Sequence, residues 1–151
     1  MRLVRLLTLT TTALLATTPS RIDVYTSTQL GDMEAKLAAR KTPFAGQDLQ
    51  RYVNHYTMLA YRDATGSSEL HEHEADTFFI TSGETTIVLG GKLVESKATK
   101  PGEFRGTSIS GGERRKLATG DIIHINAGVA HQMLLDPGKH VTYFVLKVTG
   151  E

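Results

Sequence analysis

Between Leu49 and Val148, apolar and polar residues alternate in short runs separated by glycine-bearing turns. YVNHYTMLAYR (52–62) alternates and is rich in β-favouring side chains, and LHEHEADTFFITSG (70–83), 85–89, 122–126, 130–135 and 141–148 repeat the habit. Successive side chains of a strand point to opposite faces, so such runs predict half-buried strands. Residues 64–68, Gly90-Gly91 and Gly120-Asp121 read as turns. The stretch 97–112 carries Pro101 and several glycines and reads as a long loop with one short strand near 107–109. Ahead of Leu49 the period changes. In STQLGDMEAKLAAR (27–40), Leu30, Met33 and Leu37 share one helical face, and Ser27 or Thr28 can cap the start. Pro43, Gly46 and Gln47 then mark a loop. Many short strands with glycine turns predict an all-β fold, a small barrel or jelly roll, with one short N-terminal helix. The expected organisation is a leader over 1–20, a helical or extended segment over 21–48 and a β-barrel domain over 49–151.

The leader is expected because MRLVRLLTLTTTALLATTPS differs from the rest. Arg2 and Arg5 open it, Leu6–Ala16 holds only Leu, Thr and Ala, and no acidic residue precedes Asp23. A positive start, a short apolar stretch and a small-residue exit fit a secretory signal, which implies a secreted or periplasmic mature protein; a cytoplasmic one is the alternative. The stretch is too short to span a bilayer, so no membrane association of the mature form is expected.

Composition then narrows the chemistry. The 151 residues suit one domain, and 40% hydrophobic content supports a core. There is no cysteine, which excludes disulfides, thiolate metal sites and cysteine nucleophiles. The net charge of +1 is spread along the chain without a basic stripe, so nucleic acid is not an expected partner. Arg114-Arg115-Lys116, after Glu113, reads as a solvated turn.

Against that background, HEHEAD (71–76) concentrates titratable groups. On a continuous strand, His71 and His73 share one face while Glu72 and Glu74 share the other. With the histidine face inward, two imidazoles converge and the glutamates stay in water. Asp76, past a short corner at Ala75, can bring a carboxylate back to the same point. A metal needs a further ligand, and His131, in GDIIHINAGVAHQMLL (120–135), is the candidate. Imidazole and carboxylate donors suit one divalent transition ion, among Zn, Fe, Mn, Ni, Co or Cu. His124, Phe78 and Tyr143 are candidates to line the pocket, with Phe79 and Phe144 as core or wall; His55 and His140 read as structural.

These residues carry a resemblance to the cupins. GSSELHEHEADTFFITSG (66–83) resembles the first cupin motif, with His71 and His73 at its H-x-H, Asp76 at its acidic position and six residues from there to Gly83. The second motif is matched in spacing by Gly120, Gly128 and His131. The chain departs from the pattern in four places, the first being that four residues rather than five separate Gly66 from His71. Asp76 stands for glutamate and follows His73 after two residues rather than three or four, Asn126 stands for proline, and Leu135 stands for the terminal asparagine. The resemblance implies a small single-domain barrel with His71, His73, His131 and Asp76 as metal ligands. It implies a metal-dependent enzyme of dioxygenase, isomerase or lyase type acting on a small oxygen-rich substrate, or a non-catalytic barrel that holds a metal or small ligand. It also implies a homodimer formed by extending sheets, to which HVTYFVLKV (140–148) is a candidate contributor.

Overall fold

The computed structural model describes residues 22–150, and the leader-like segment 1–20 lies outside them. Helix α1 (Ser27–Ala38) is capped by Thr26, one residue earlier than expected. The Thr26 hydroxyl accepts from the Gln29 backbone N–H, while the Gln29 side chain accepts from the Thr26 N–H, so two helix-end donors are satisfied reciprocally.

Twelve strands follow among the described residues: β1 (Phe44–Arg51), β2 (His55–Arg62), β3 (Ser68–His71), β4 (Glu74–Leu89), β5 (Lys92–Val94), β6 (Lys97–Lys100), β7 (Glu103–Gly106), β8 (Ser108–Ser110), β9 (Glu113–Ala118), β10 (Ile122–Ile125), β11 (His131–Leu134) and β12 (Val141–Thr149). All pairings are antiparallel. The first half of β4 joins one sheet, β1-β2-β12-β4-β10, and its second half joins another, β9-β4-β11-β3-β7-β6. A strand shared by two sheets must bend, and Gly83 (φ 78°) sits at the bend, where an added Cβ would lie 2.1 Å from the His140 carbonyl oxygen. Only glycine fits there.

Alternation along β4 and β12 sends Phe78, Ile80, Tyr143 and Val145 into the space between the sheets, where Ile87, Ile125 and Met133 meet them. A smaller core lies outside, where Leu37 of α1 packs with Ala45 and Leu59 on the outer face of β1 and β2.

Four expectations change. The barrel begins at Phe44 rather than Leu49, because residues from Phe44 onward pair with β2. The stretch read as a long loop with one short strand near 107–109 forms three strands: β8 stands where that strand was expected, and β6 and β7 add to it. β6 was hidden because it is exposed at every position and shows no apolar alternation. Arg114-Arg115-Lys116 lies not in a turn but in β9, a solvated strand paired with β4. β12 is an interior strand with β2 on one side and β4 on the other, so it offers no edge for extending a sheet into a second copy.

Candidate metal centre

β3 ends at His71, and the chain turns through Glu72 and His73 before β4 starts at Glu74. This corner breaks the strand on which the H-x-H reading depended. His71 is buried, whereas His73 is exposed on the corner and outside the cluster. The residue that shares a face with His71 is the one two positions back, Glu69. β4 then carries Asp76 inward, 2% exposed. β11 brings His131, and the turn before it is held by the Gly128 N–H donating to the His71 carbonyl at 2.7 Å.

Four side chains therefore converge. Asp76 Oδ2 lies 3.4 Å from His71 Nε2 and 3.4 Å from His131 Nε2. Glu69 Oε2 lies 3.5 Å from His71 Nε2 and 4.0 Å from His131 Nε2. Ligands about 2.1 Å from one tetrahedral ion stand about 3.4 Å apart, close to the separations of Asp76 and Glu69 from His71. Glu69, His71 and His131 offer ligand atoms all within 4.8 Å of one another.

Protonation can be read from partners. His131 Nδ1 faces the Val129 carbonyl at 3.1 Å, and a carbonyl only accepts, so Nδ1 carries the proton. Nε2 is left with a lone pair that is buried and has no hydrogen-bond partner among the described residues. Burial lowers the His131 pKa, despite Glu69 and Asp76, and keeps the ring neutral. His71 Nδ1 pairs with Glu103 Oε2 at 2.6 Å, which directs Nε2 into the cluster. Burial disfavours charge on His71, but Glu69, Asp76 and Glu103 outweigh both burial and Lys147 and raise its pKa. Burial alone would raise the Glu69 carboxyl too; the His71 hydrogen bond with Arg105, His131 and Arg62 holds it at about 2.

Sequence reading missed Glu69, Glu103, Arg62, Arg105 and Lys147. Three of these come from register: Glu103 lies opposite His71 and Arg105 opposite Glu69 across β3 and β7, and the third is Lys147. Lys147 lies opposite Asp76 across β12 and β4, with its Nζ 2.7 Å from Asp76 Oδ1 and 3.0 Å from His71 Nε2. Arg62 donates from Nε to the Tyr143 hydroxyl at 3.0 Å and reaches Glu69 at 3.3 Å. The cluster forms one wall of a cavity of about 420 Å³ whose other walls include Met58, Phe78, Met133, Tyr143 and Val145. Phe78 and Tyr143 thus line the pocket as expected. His124 does not; it is exposed and pairs with Thr77 and Asn126.

No protein-family model matches the chain, and no curated protein matches it. Solved structures do. A double-stranded β-helix protein of uncharacterised role from Klebsiella pneumoniae is similar with a TM-score of 0.59 at 16% identity, covering 88% of this chain and 93% of that one. The cupin domain of Cnp3 from Schizosaccharomyces pombe gives 0.54 at 8% identity, over 72% and 66%. The DMSP lyase DddQ from Ruegeria pomeroyi gives 0.51 at 18% identity, over 70% and 47%, so the chain spans less than half that protein's length. The fold is the cupin fold, a double-stranded β-helix, and its barrel holds a His and Glu group able to bind a metal ion.

Proposed function

We propose that this protein is a metal-dependent cupin enzyme acting on a small oxygen-rich molecule by lyase, isomerase or dioxygenase chemistry. The observation that carries the reading is His131 Nε2, a buried lone pair without a partner among the described residues, aimed at Asp76, Glu69 and His71. Such an atom is costly to bury unless something binds it. His71, His131, Glu69 and Asp76 would hold the ion. The donors are nitrogen and oxygen, which suit any of the divalent transition ions named above. A bound ion supplies a Lewis acid that polarises a coordinated oxygen or acidifies a coordinated water.

The chain's own residues supply the rest. Apolar walls at Met58, Phe78, Met133 and Val145 limit water around a small substrate. Tyr143 is fully enclosed, and burial raises its pKa, so its hydroxyl keeps its proton at neutral pH. Its oxygen accepts from Arg62, which leaves the O–H to donate to a substrate oxygen.

The test is turnover of a panel of hydroxy acids, keto acids and vicinal diols by protein loaded in turn with each metal. Tyr143→Phe should retain metal and lose about 100-fold in kcat. Turnover that persists undiminished in His131→Ala would contradict the reading. The second reading, a non-catalytic ligand-binding barrel, is favoured by one observation, the seat that Lys147 takes against His71 and Asp76; tight ligand retention without product would support it. The arginine-led leader supports export of the mature chain, and an intact Met1 on protein from its native host would overturn that.

A further inference from the structure

Lys147 is the feature the metal reading leaves unused. Its side chain is 12% exposed, and its ammonium lies against two residues of the proposed centre, His71 Nε2 at 3.0 Å and, at 2.7 Å, Asp76 Oδ1, the carboxylate oxygen other than the one that faces the histidines. The His71 lone pair serves one partner at a time, the lysine N–H or an ion. Around it, four carboxylates (Glu69, Glu74, Asp76 and Glu103) face three cations (Arg62, Arg105 and Lys147). With both imidazoles neutral, the form in which they can ligate an ion, the group carries one uncompensated negative charge. A divalent ion turns that into one uncompensated positive charge inside a barrel of low dielectric, where a lone charge is strongly disfavoured.

The three cations are not equally tied. Arg62 keeps Tyr143, and Arg105 keeps Glu103 at 3.5 Å, whatever happens at the centre. Lys147 loses His71 Nε2 to the ion and must share Asp76, whose Oδ2 faces the centre while Oδ1 holds the ammonium; its other partner is Glu74 at 3.6 Å, which also accepts from the Tyr56 hydroxyl at 3.3 Å. Lys147 already lines the cavity, so its displaced ammonium stays in it.

We infer that Lys147 is an internal stand-in for the metal, displaced by it into the cavity, where it binds the negative group of a monoanionic substrate with an apolar body, such as a monocarboxylate. The inference rests on the metal centre proposed above and adds the substrate's charge, its anchor and the order of binding: metal first, anion second. Affinities for the two are then linked, each raising the other.

The experiment is calorimetric titration with zinc and with benzoate as the probe anion, using the full chain. Wild-type protein should bind benzoate about tenfold or more tightly when zinc-loaded than when metal-free. Lys147→Met should bind zinc about tenfold more tightly than wild type, because the competitor is gone, and its zinc form should bind benzoate about tenfold more weakly than the wild-type zinc form. Lys147→Arg should recover benzoate binding. As a check that needs no variant, zinc should raise acetylation of Lys147 by acetic anhydride in the wild type, read by peptide mass mapping. Zinc binding with no gain in the methionine variant, equal benzoate affinity in both zinc forms, or unchanged Lys147 labelling overturns the inference and leaves the metal centre standing. No zinc binding to wild type overturns both.

Discussion

Glu103 shows how much a single side chain outside the metal-facing set can decide. It is not among the residues that line the cavity, yet its carboxylate holds His71 Nδ1 at 2.6 Å and so fixes which nitrogen faces the cluster. Glu103→Ala should keep the barrel folded and weaken metal binding about 10–100-fold, as measured by competition with a chelator; unchanged affinity would remove Glu103 from the account. Glu69 makes a prediction in pH. Its folded pKa, about 2, lies below its ordinary 4.5, so its ionised form stabilises the fold above that ordinary value. The contribution, about 3 kcal/mol at most, is lost as pH falls from there toward the folded pKa. Urea unfolding of metal-free protein should show this decline, and Glu69→Gln should flatten it. The residue scale is also where sequence reading fell short. The short gap between His73 and Asp76 marked the problem: with the pair moved back to Glu69 and His71, four residues precede Asp76 and the spacing is ordinary. A glutamate in place of the first histidine concealed this.

At the scale of elements, what could be read was what alternates over an apolar face. β4, β11 and β12 were legible because their inward residues are apolar or aromatic, and α1 because Leu30, Met33 and Leu37 recur at helical spacing. β6 and β9 were not, since they are paired through backbone hydrogen bonds while their side chains, Leu117 apart, face water. The corner at Glu72 and His73 was invisible for another reason, as nothing local distinguishes a strand end from a strand. Helix α1 lies on the outside of the barrel, away from the cavity, and this separates stability from function. Leu37 is 1% exposed, so Leu37→Ala should lower unfolding free energy by about 2–4 kcal/mol. Metal affinity of the folded variant should not change; a parallel loss of metal binding would mean that the outer core and the centre are coupled.

Over the whole molecule, two sheets sharing the bent strand β4 bring four short stretches to one point. Glu69 and His71 come from β3, Asp76 from β4, His131 from β11 and Lys147 from β12. Local pattern could supply the histidine and aspartate candidates, but partners set by strand register, such as Glu103 and Lys147, exist only once the sheets are closed. The central claim is that this closed arrangement binds one metal ion and that His73 has no part in it. Elemental analysis of protein prepared without a chelating tag and reloaded with divalent ions tests it directly, with wild type beside His131→Ala and His73→Ala. Wild type and His73→Ala should each carry close to one metal ion per chain, and His131→Ala should carry none. A wild-type protein that stays metal-free after reloading, or a His73→Ala variant that loses metal while His131→Ala keeps it, would contradict the account.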